Sequence, residues 1–187
     1  MLENIFPSTN HNWLLIFTAK GRCFWMRIFE VPEGSKQSKG RAIVNLINLE
    51  GDDKVLAYIP VLDLKDEEYV NGNYVILCTK KGLIKKTSLE AYSRPRSNGI
   101  NAVTIREGDE LLSARLTNGD SEIIMGLRSG KAIRFHESTA RAVGRTAMGV
   151  KGVTLGGPKD EVIGMVCVND AGSDILVVSE NGYGKRS

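Results

Sequence analysis

The chain has 187 residues, a length that allows one domain of ordinary size with its own hydrophobic core. Its 42% hydrophobic and 25% charged residues are typical of a globular protein, and it lacks the apolar stretch of roughly 18 residues that a membrane span needs. The formal net charge of +3 excludes no class of partner, but the first 13 residues lack the basic start and apolar core of a signal peptide.

Four segments along the chain share one pattern, in which an apolar run is followed by a short polar turn that ends in Gly. The turn glycines are Gly21, Gly82, Gly130 and Gly182, separated by 61, 48 and 52 residues. Two strand-like runs joined by such a turn predict a β-hairpin, and Asn181-Gly182 is the strongest of the four turn signals. The spacing indicates a repeated unit of about 50 residues.

Each unit contains two further predicted strands after its hairpin. The third strands follow Gly40, Gly99 and Gly149, at residues 42–46, 100–104 and 150–154. Acidic, Gly-containing turns then precede fourth strands at 55–59, 111–116 and 162–168. The helical candidates are single turns at 88–92 and 137–142, and the acidic insertion 62–73 is predicted to be a surface loop. Four strands per unit favour an all-β, propeller-like array of four-stranded blades.

The array is predicted to be a single domain over residues 1–187. Its blades are expected at about 14–61, 74–117 and 122–168, with a partial blade at 174–187. The last unit stops just after its first hairpin, and half a blade cannot bury its faces. We therefore expect either a piece cut from a longer protein or a last strand that completes a neighbouring blade.

Positive charge is concentrated in one part of each unit. Residues 20–41, 80–106 and 128–151 contain 19 of the 25 Lys and Arg but only four of the 22 Asp and Glu. An ordinary solvated face would not place positive charge at equivalent positions in three units. Because such positions lie along one edge of a propeller, we expect a basic edge that contacts the phosphates of duplex DNA. The residues assigned to this edge are Lys20, Arg22, Lys36, Lys39, Arg41, Lys80, Lys81, Lys85, Lys86, Arg94, Arg96, Arg128, Lys131, Arg134, Arg141, Arg145, Lys151, Lys185 and Arg186.

Catalytic and metal-binding motifs fit the sequence poorly. The segment 126–132 looks like a phosphate loop, but it is one residue short and has Ala132 where Ser or Thr would bind magnesium. His11 and His136 lack partner ligands at metal spacing and are expected to be solvated or to cap a turn. We expect no catalytic residue, no metal site and no cofactor in this chain.

The cysteines are expected to be structural. Cys23, Cys78 and Cys167 lie far apart, each inside an apolar run. Their odd number and the lack of a Cys-x-x-Cys pair favour reduced, buried thiols in a cytoplasmic protein.

Aromatic and acidic residues allow a functional and a structural interpretation, and the structural one is favoured. Trp13, Phe24 and Trp25 could stack on bases but are predicted to pack in the core of strands. The acidic groups 52–53 and 66–68 are predicted to solubilise exposed turns.

Several segments, in order along the chain, resemble the C-terminal domain of the bacterial DNA gyrase A subunit. They are residues 17–22, 40–46, 80–87, 142–152 and 181–187. The resemblance implies a β-pinwheel, a propeller-like disc whose blades exchange strands with their neighbours, and DNA bent around its basic outer edge. It also implies a parent ATP-dependent type II topoisomerase that introduces negative supercoils with the gyrase B subunit in an A2B2 holoenzyme, associated with the nucleoid in the bacterial cytoplasm. The catalytic tyrosine and the ATP and Mg²⁺ sites would lie in other domains or subunits.

One motif of that family is not found in the chain. The Gln-Arg-Arg-Gly-Gly-Lys-Gly box of the first blade, essential for wrapping, has only degenerate counterparts at 35–40, 94–99 and 144–149. This pattern fits a chain that begins at the end of the first blade and stops inside the fifth. Without the box, the resemblance implies DNA contact by this chain but not wrapping by it alone.

Two alternatives stay open at the level of sequence. The related C-terminal domain of the topoisomerase IV A subunit is also a DNA-contacting pinwheel but wraps less, although the stretch 42–46 favours gyrase. A propeller that serves as a protein-interaction module would show apolar surface patches in place of a basic edge, and its binding would be insensitive to salt.

Overall fold

The computed structural model describes residues 5–35, 37, 40, 42–170 and 172–186. As predicted, the fold is built almost entirely from β-strands. In chain order the strands are β1 (Trp13–Thr18), β2 (Arg22–Arg27), β3 (Val55–Val61), β4 (Tyr74–Thr79), β5 (Leu83–Ser88), β6 (Ile100–Asn101), β7 (Leu111–Thr117), β8 (Glu122–Leu127), β9 (Ala132–His136), β10 (Val150–Lys151), β11 (Val162–Val168), β12 (Leu176–Val178) and β13 (Gly184–Arg186). Between them lie the helix α1 (Glu67–Gly72) and four 3₁₀ turns, Ile28–Glu30, Ile43–Asn45, Leu89–Tyr92 and Glu137–Thr139.

All four predicted hairpins are present as antiparallel pairs, namely β1–β2, β4–β5, β8–β9 and β12–β13. The first blade has the strand order β3-β1-β2-β6, and the second has the order β7-β4-β5-β10. In the third unit the described residues form a three-stranded sheet with the order β11-β8-β9. Strand β7 packs against both β3 and β11, so these three strands form the inner side of the array. Strands β6 and β10 lie at the opposite, outer edge.

The outermost strand of each complete blade comes from the next unit along the chain. Strand β6 pairs with β2 of the first blade, and β10 pairs with β5 of the second. This is the exchange of strands that the pinwheel fold implies. The stretches after Gly99 and Gly149 therefore complete the preceding blade, so each complete blade combines residues from two of the repeated units.

Glycine is required where the exchanged strand begins. Gly149 has a φ of +91°, and a Cβ atom built on it would overlap the carbonyl oxygen of Ile84 in β5. A side chain here would therefore meet both an unfavourable backbone conformation and the neighbouring strand.

Backbone hydrogen bonds at the hairpin turns repeat from one blade junction to the next. The Gly21 carbonyl oxygen accepts from the amide of Ala102 at 2.8 Å, and the Gly82 carbonyl oxygen accepts from the amide of Gly152 at 2.9 Å. A second repeated bond joins the start of an inner strand to the hairpin turn of the preceding blade. The Leu111 amide donates to the Ala19 carbonyl oxygen, and the Val162 amide donates to the Lys80 carbonyl oxygen. The turns thus fix the position of the following blade.

The hydrophobic core lies between the blades. Side chains alternate between the two faces of a strand, and β4 is buried on both. Val75 and Leu77 pack in the cluster between the first and second blades, whereas Ile76 and Cys78 pack in the cluster between the second and third. Burial of such side chains on both faces is worth about 25 cal/mol per Å² of apolar surface removed from water.

Three local predictions differ from the structure. Residues 42–46, predicted to form a strand, contain the 3₁₀ turn Ile43–Asn45. The turn brings Ile43 and the buried Ile47 together in the apolar cluster over the first blade, which an extended strand would not do. The predicted loop 62–73 contains α1, whose first turn is capped by the Asp66 side chain. The Asp66 carboxylate is therefore a helix cap and not only a solubilising group.

The two predicted single-turn helices are confirmed as the 3₁₀ turns Leu89–Tyr92 and Glu137–Thr139. His136 caps the second of them by accepting a hydrogen bond from the Ser138 amide, as expected for a capping histidine. Within the described residues, no helix is long and apolar enough to span a membrane.

Candidate nucleic-acid interface

Two loops at the outer edge present arginines to solvent. Each loop begins with a 3₁₀ turn and ends in an exchanged strand, so residues 93–99 lead into β6 and residues 140–149 lead into β10. Arg94 and Arg96 on the first loop are exposed, and Arg145 on the second is half-buried. The loops are short and begin and end in hydrogen-bonded structure, which limits where these side chains can lie.

Arg94, Arg96 and Arg145 line one surface groove of about 360 Å³, which we call the loop arginine groove. Glu90 is the one acidic residue among its described lining residues. Within the described part of the chain, none of the three arginines forms an ion pair, so their guanidinium groups keep their donors for a ligand. The three arginines therefore lie at one surface, and their contact with DNA stays a prediction.

Lys85, by contrast, is not on the exposed edge. It is only 2% exposed, and its Nζ atom donates hydrogen bonds to the carbonyl oxygens of Ala102, at 2.6 Å, and Arg145. Burial, together with the nearby Arg145 charge, lowers the pKa of Lys85 to about 8. The assignment of Lys85 to a phosphate-contacting edge is thus corrected, because its ammonium group is enclosed by the protein.

Lys86 is also buried, on the opposite face of β5. Its Nζ atom lies 2.8 Å from a carboxylate oxygen of Glu137 and 4.2 Å from the centre of the Tyr74 ring. Glu137 is fully buried and also accepts hydrogen bonds from the Thr117 hydroxyl and the Ser121 amide. Burial alone would raise the pKa of Glu137, but the hydrogen bond from Lys86, those from Thr117 and Ser121, and the Lys86 charge outweigh it and hold the pKa below its usual range. The assignment of Lys86 to the edge is corrected for the same reason.

Lys20, Lys80 and Arg128, which we call the turn cations, are paired with acids. Their carboxylate partners are Asp52, Glu110 and Glu161, respectively. The pKa of Lys80 is raised and that of Glu110 lowered, chiefly by the 2.7 Å hydrogen bond between them. Lys20 and Lys80 line a groove of about 810 Å³ that also contains the carboxylates of Asp52, Asp53, Asp109 and Glu110. This surface has mixed charge and is less suited to an anionic ligand than the loop arginine groove.

The other assigned residues occupy varied positions. Arg22 is half-buried, donates to the Asn98 carbonyl oxygen and lies 5.7 Å from the centre of the Phe24 ring. Arg134 is exposed and pairs with Glu122 at 3.0 Å. Lys81, Lys131, Arg141, Lys151, Lys185 and Arg186 are exposed, with Arg186 lying 3.4 Å from Asp174. Lys36, Lys39 and Arg41 lie outside the described residues.

The acidic turns have a structural role in addition to the solubilising role predicted from the sequence. Asp53, at 8% exposure, accepts hydrogen bonds from the amides of Lys20 and Lys54. Asp109 and Asp160 make the equivalent bonds in the next two units, to the amides of Lys81 and Glu110 and of Ser129 and Glu161. These aspartates stabilise the hairpin turns and are more than solubilising groups. Their recurrence just before each inner strand is a signal that the sequence does contain.

The cysteines are buried or half-buried, and Trp13, Phe24 and Trp25 pack in or against the hydrophobic core, as predicted. Cys23 and Cys78 are buried and Cys167 is half-buried, and all three are free thiols. Burial raises the pKa of Cys78 to about 12 and that of Cys167 to about 11. Phe24 lies in the core, whereas Trp25 is half-buried and donates from its indole nitrogen to the Tyr92 carbonyl oxygen at 2.9 Å. The segment 126–132, considered as a phosphate loop, is the turn between β8 and β9.

Comparison with known proteins gives a consistent result. A family model described as the DNA gyrase C-terminal domain, beta-propeller, matches residues 12–62, 73–118, 128–169 and 173–187. The chain is 41% identical over 186 residues to the DNA gyrase A subunit of Salmonella typhimurium (strain LT2), a match that covers 100% of this chain and 20% of that protein. The chain therefore spans about one fifth of the length of this relative.

Solved structures with the same fold include two C-terminal domains. The C-terminal domain of DNA topoisomerase IV has a TM-score of 0.81 at 27% identity, over 95% of this chain and 53% of that one. The DNA gyrase A C-terminal domain has a TM-score of 0.76 at 25% identity, over 96% of this chain and 55% of that one. The two folds are similarly close to this chain, so shape alone does not distinguish between them.

Proposed function

The chain belongs to the family of DNA gyrase C-terminal domains with a β-propeller fold, and on that premise we propose that it binds and bends duplex DNA along its outer edge without catalysing a reaction itself. The single observation that supports this function best is the loop arginine groove, in which Arg94, Arg96 and Arg145 converge without carboxylate partners among the described residues.

The chemistry of the groove suits a phosphate backbone. A guanidinium group is always charged at neutral pH and presents several N–H donors in a plane, which matches the oxygens of a phosphate. Contacts of this kind fix the position of the duplex but carry little information about base sequence. Lys81, Lys131, Arg141 and Lys151 are further exposed cations that a duplex could contact. A bent duplex needs such additional contacts, because its elastic cost must be offset.

We further propose that the parent protein is the A subunit of an ATP-dependent type II topoisomerase. In this proposal the parent works with a gyrase B subunit in an A2B2 assembly in the bacterial cytoplasm, close to the nucleoid. ATP and Mg²⁺ would be bound elsewhere in that assembly, since the chain corresponds to 20% of the related gyrase A subunit. A gyrase is favoured over topoisomerase IV by the 41% identity to a gyrase subunit over the whole chain.

A charge-matched pair of variants tests the DNA-binding role. The first variant replaces Arg94, Arg96 and Arg145 with Gln, and the second replaces the turn cations Lys20, Lys80 and Arg128 with Gln, so both lose three positive charges. Affinity for a short duplex is measured by fluorescence anisotropy over a range of salt concentrations. We expect the first variant to bind more weakly and to lose about 2.7 from the slope of log affinity against log salt, at about 0.9 per phosphate contact. The second variant should change the slope much less.

Equal effects of the two variants would mean that net charge alone matters and that the groove is not the interface. A wild-type affinity that does not depend on salt would contradict DNA binding by this edge altogether, and would favour the alternative of a protein-interaction module.

A further inference from the structure

Lys85 is a buried cation at a position that varies among the four hairpins. It lies three residues after the turn glycine Gly82, and the equivalent residues after Gly21, Gly130 and Gly182 are Phe24, Ile133 and the exposed Lys185. Two of the other three hairpins therefore form without a cation at this point. A buried lysine is also costly, since desolvation of its charge opposes folding. Its presence calls for an explanation in terms of what its ammonium group contacts.

The contacts of Lys85 join the two connections that carry the loop arginines. The Ala102 carbonyl oxygen, 2.6 Å from Nζ, lies just after β6, the strand into which the loop with Arg94 and Arg96 leads. The Arg145 carbonyl oxygen, which also accepts from Nζ, lies in the connection that leads into β10. One ammonium group thus joins the main chain of both connections from the strand between them.

The loop that contains Arg145 makes three other hydrogen bonds near this residue among the described residues. The Val143 amide donates to the Lys86 carbonyl oxygen at 2.9 Å, the Thr104 hydroxyl donates to the Thr146 carbonyl oxygen at 2.8 Å, and the Ala147 amide donates to the Gly144 carbonyl oxygen at 3.2 Å. The Val143 bond joins the loop to β5 two residues before Arg145. The partly buried bond from Lys85 joins Arg145 itself to the same strand of the second blade.

Electrostatics explains why this contact matters for the groove. Arg94, Arg96 and Arg145 carry like charges around a groove of about 360 Å³ with Glu90 as the one acid among its described lining residues, so their repulsion favours an open arrangement in the absence of an anion. A fixed backbone at Arg145 opposes that separation. Preorganisation of this kind lowers the cost of ordering side chains when a ligand binds.

We propose that Lys85 is a positioning residue for the loop arginine groove, and that it places Arg145 opposite Arg94 and Arg96 so that the three guanidinium groups bind one phosphate segment together. The proposal rests on the proposed DNA-binding function. It assigns Lys85 no contact with DNA, in contrast to the direct contact that the sequence suggests.

A double-mutant cycle in the full chain tests this role. The variants are Lys85→Met, Arg145→Met and the double variant, with affinity for a short duplex measured at one salt concentration. In the wild-type background, Arg145→Met should weaken binding by about five- to tenfold, the effect of one lost phosphate contact. In the Lys85→Met background, the same change should weaken binding by less than about twofold, because Arg145 is no longer held in place.

The matched control is Lys131→Met, which removes an exposed lysine and the same charge. In the Lys131→Met background, Arg145→Met should still weaken DNA binding by about five- to tenfold. An undiminished cost of Arg145→Met in the Lys85→Met background would overturn the positioning role. If Lys85→Met does not fold, as judged by thermal unfolding, Lys85→Leu takes its place, because it also has no hydrogen-bond donor. An undiminished cost of Arg145→Met in the Lys85→Leu background would equally overturn the proposal.

Failure of the inference is distinguishable from failure of the proposed function. If the Arg94, Arg96 and Arg145 triple variant loses affinity but the cycle is additive, the groove binds DNA and Lys85 does not position it. If the triple variant binds as wild type does, the groove is not the interface and both proposals are wrong.

Discussion

Lys85 and Lys86 point to opposite faces of one strand, and both are buried. This explains why the sequence-based assignment of both to the exposed edge is wrong. Lys85 and Lys86 are consecutive in β5, so their side chains point to opposite faces of the sheet. Both faces of the second blade pack against neighbouring units, and both lysines are buried. Their adjacency in an interior strand is a warning visible in the sequence. The partners that satisfy them, Ala102, Arg145 and Glu137, are distant in sequence and could not be predicted from it.

The ion pair between Lys86 and Glu137 should be important for stability. Replacing Glu137 with Gln leaves the Lys86 charge buried without its counter-charge, which costs about 3–5 kcal/mol of unfolding free energy. The control is Glu122→Gln, because the Glu122–Arg134 pair is at the surface and its loss should cost less than about 1 kcal/mol. Urea unfolding of both variants measures the difference. Similar losses would show that burial does not determine the strength of this pair.

The same pair predicts a dependence on acid pH. The pKa of Glu137 is lowered in the folded state, so its contribution to stability is present above the unfolded value of about 4.3. That contribution is lost as the pH falls through the folded pKa. We expect the stability difference between wild type and Glu137→Gln to shrink as the pH is lowered from about 5 towards 3. A difference that stays constant in urea unfolding over this range would contradict the lowered pKa.

Lys85 predicts the opposite behaviour at alkaline pH. Its folded pKa of about 8 lies below the unfolded value of about 10.4, so the unfolded chain binds more protons between these values. The Lys85 side chain therefore destabilises the fold at neutral pH, and this cost is relieved as the pH rises from 8 to about 10. Relative to Lys85→Met, which has no such titration, wild type should become more stable over this interval in urea unfolding. A parallel pH profile for the two proteins would exclude a depressed pKa.

At the scale of single elements, the sequence predicted all four hairpins but not every strand. Turn glycines and apolar runs mark the hairpins because the signals are local. The stretch 42–46 has the composition of a strand, yet it packs as a 3₁₀ turn over the first blade. Its conformation is decided by the surface it covers, which includes Leu14 and Phe24 from a distant part of the chain.

Glycine substitutions separate backbone strain from steric overlap at these elements. Gly149 has a positive φ and no room for a Cβ atom, Gly130 has a positive φ of +79° in open space, and Gly157 has neither restriction. We expect Gly157→Ala to be nearly neutral, and Gly130→Ala to cost about 1 kcal/mol. Gly149→Ala should cost more than Gly130→Ala, because the exchanged strand must move away from Ile84. Urea midpoints that rank the three variants in another order would contradict the close approach between residue 149 and the Ile84 backbone.

At the scale of the whole molecule, the repeat period and the basic segments could be predicted, but the partners of the exchanged strands could not be derived from local pattern. A pattern of alternating residues indicates a strand without saying which sheet it joins. The resemblance to a pinwheel supplied the exchange, and the pairings of β6 and β10 confirm it. The groove formed by Arg94, Arg96 and Arg145 follows from this pairing, because it brings two loops of different units together.

Exchange of strands should make the blades unfold together. Both tryptophans, Trp13 and Trp25, are in the first blade and pack at its contact with the second, so their fluorescence reports on this part of the array and not on the third unit. Glu137→Gln changes the third unit, yet it should lower the urea midpoint seen by tryptophan fluorescence as much as that seen by circular dichroism. Circular dichroism reports on all strands and serves as the reference. A tryptophan midpoint that stays at the wild-type value would show that the blades unfold independently.

The exchanged strand also determines how mechanical load would pass through the molecule. A bent duplex tends to straighten and would pull outward on the loop that contains Arg145. That loop continues directly into β10, which is hydrogen-bonded to the second blade, and then into residues of the third unit. Tension at one loop would therefore be shared between two blades, as a shearing force along β10 and a pull on the covalent chain. A strand that ended at the edge of its own blade would instead be peeled away one hydrogen bond at a time.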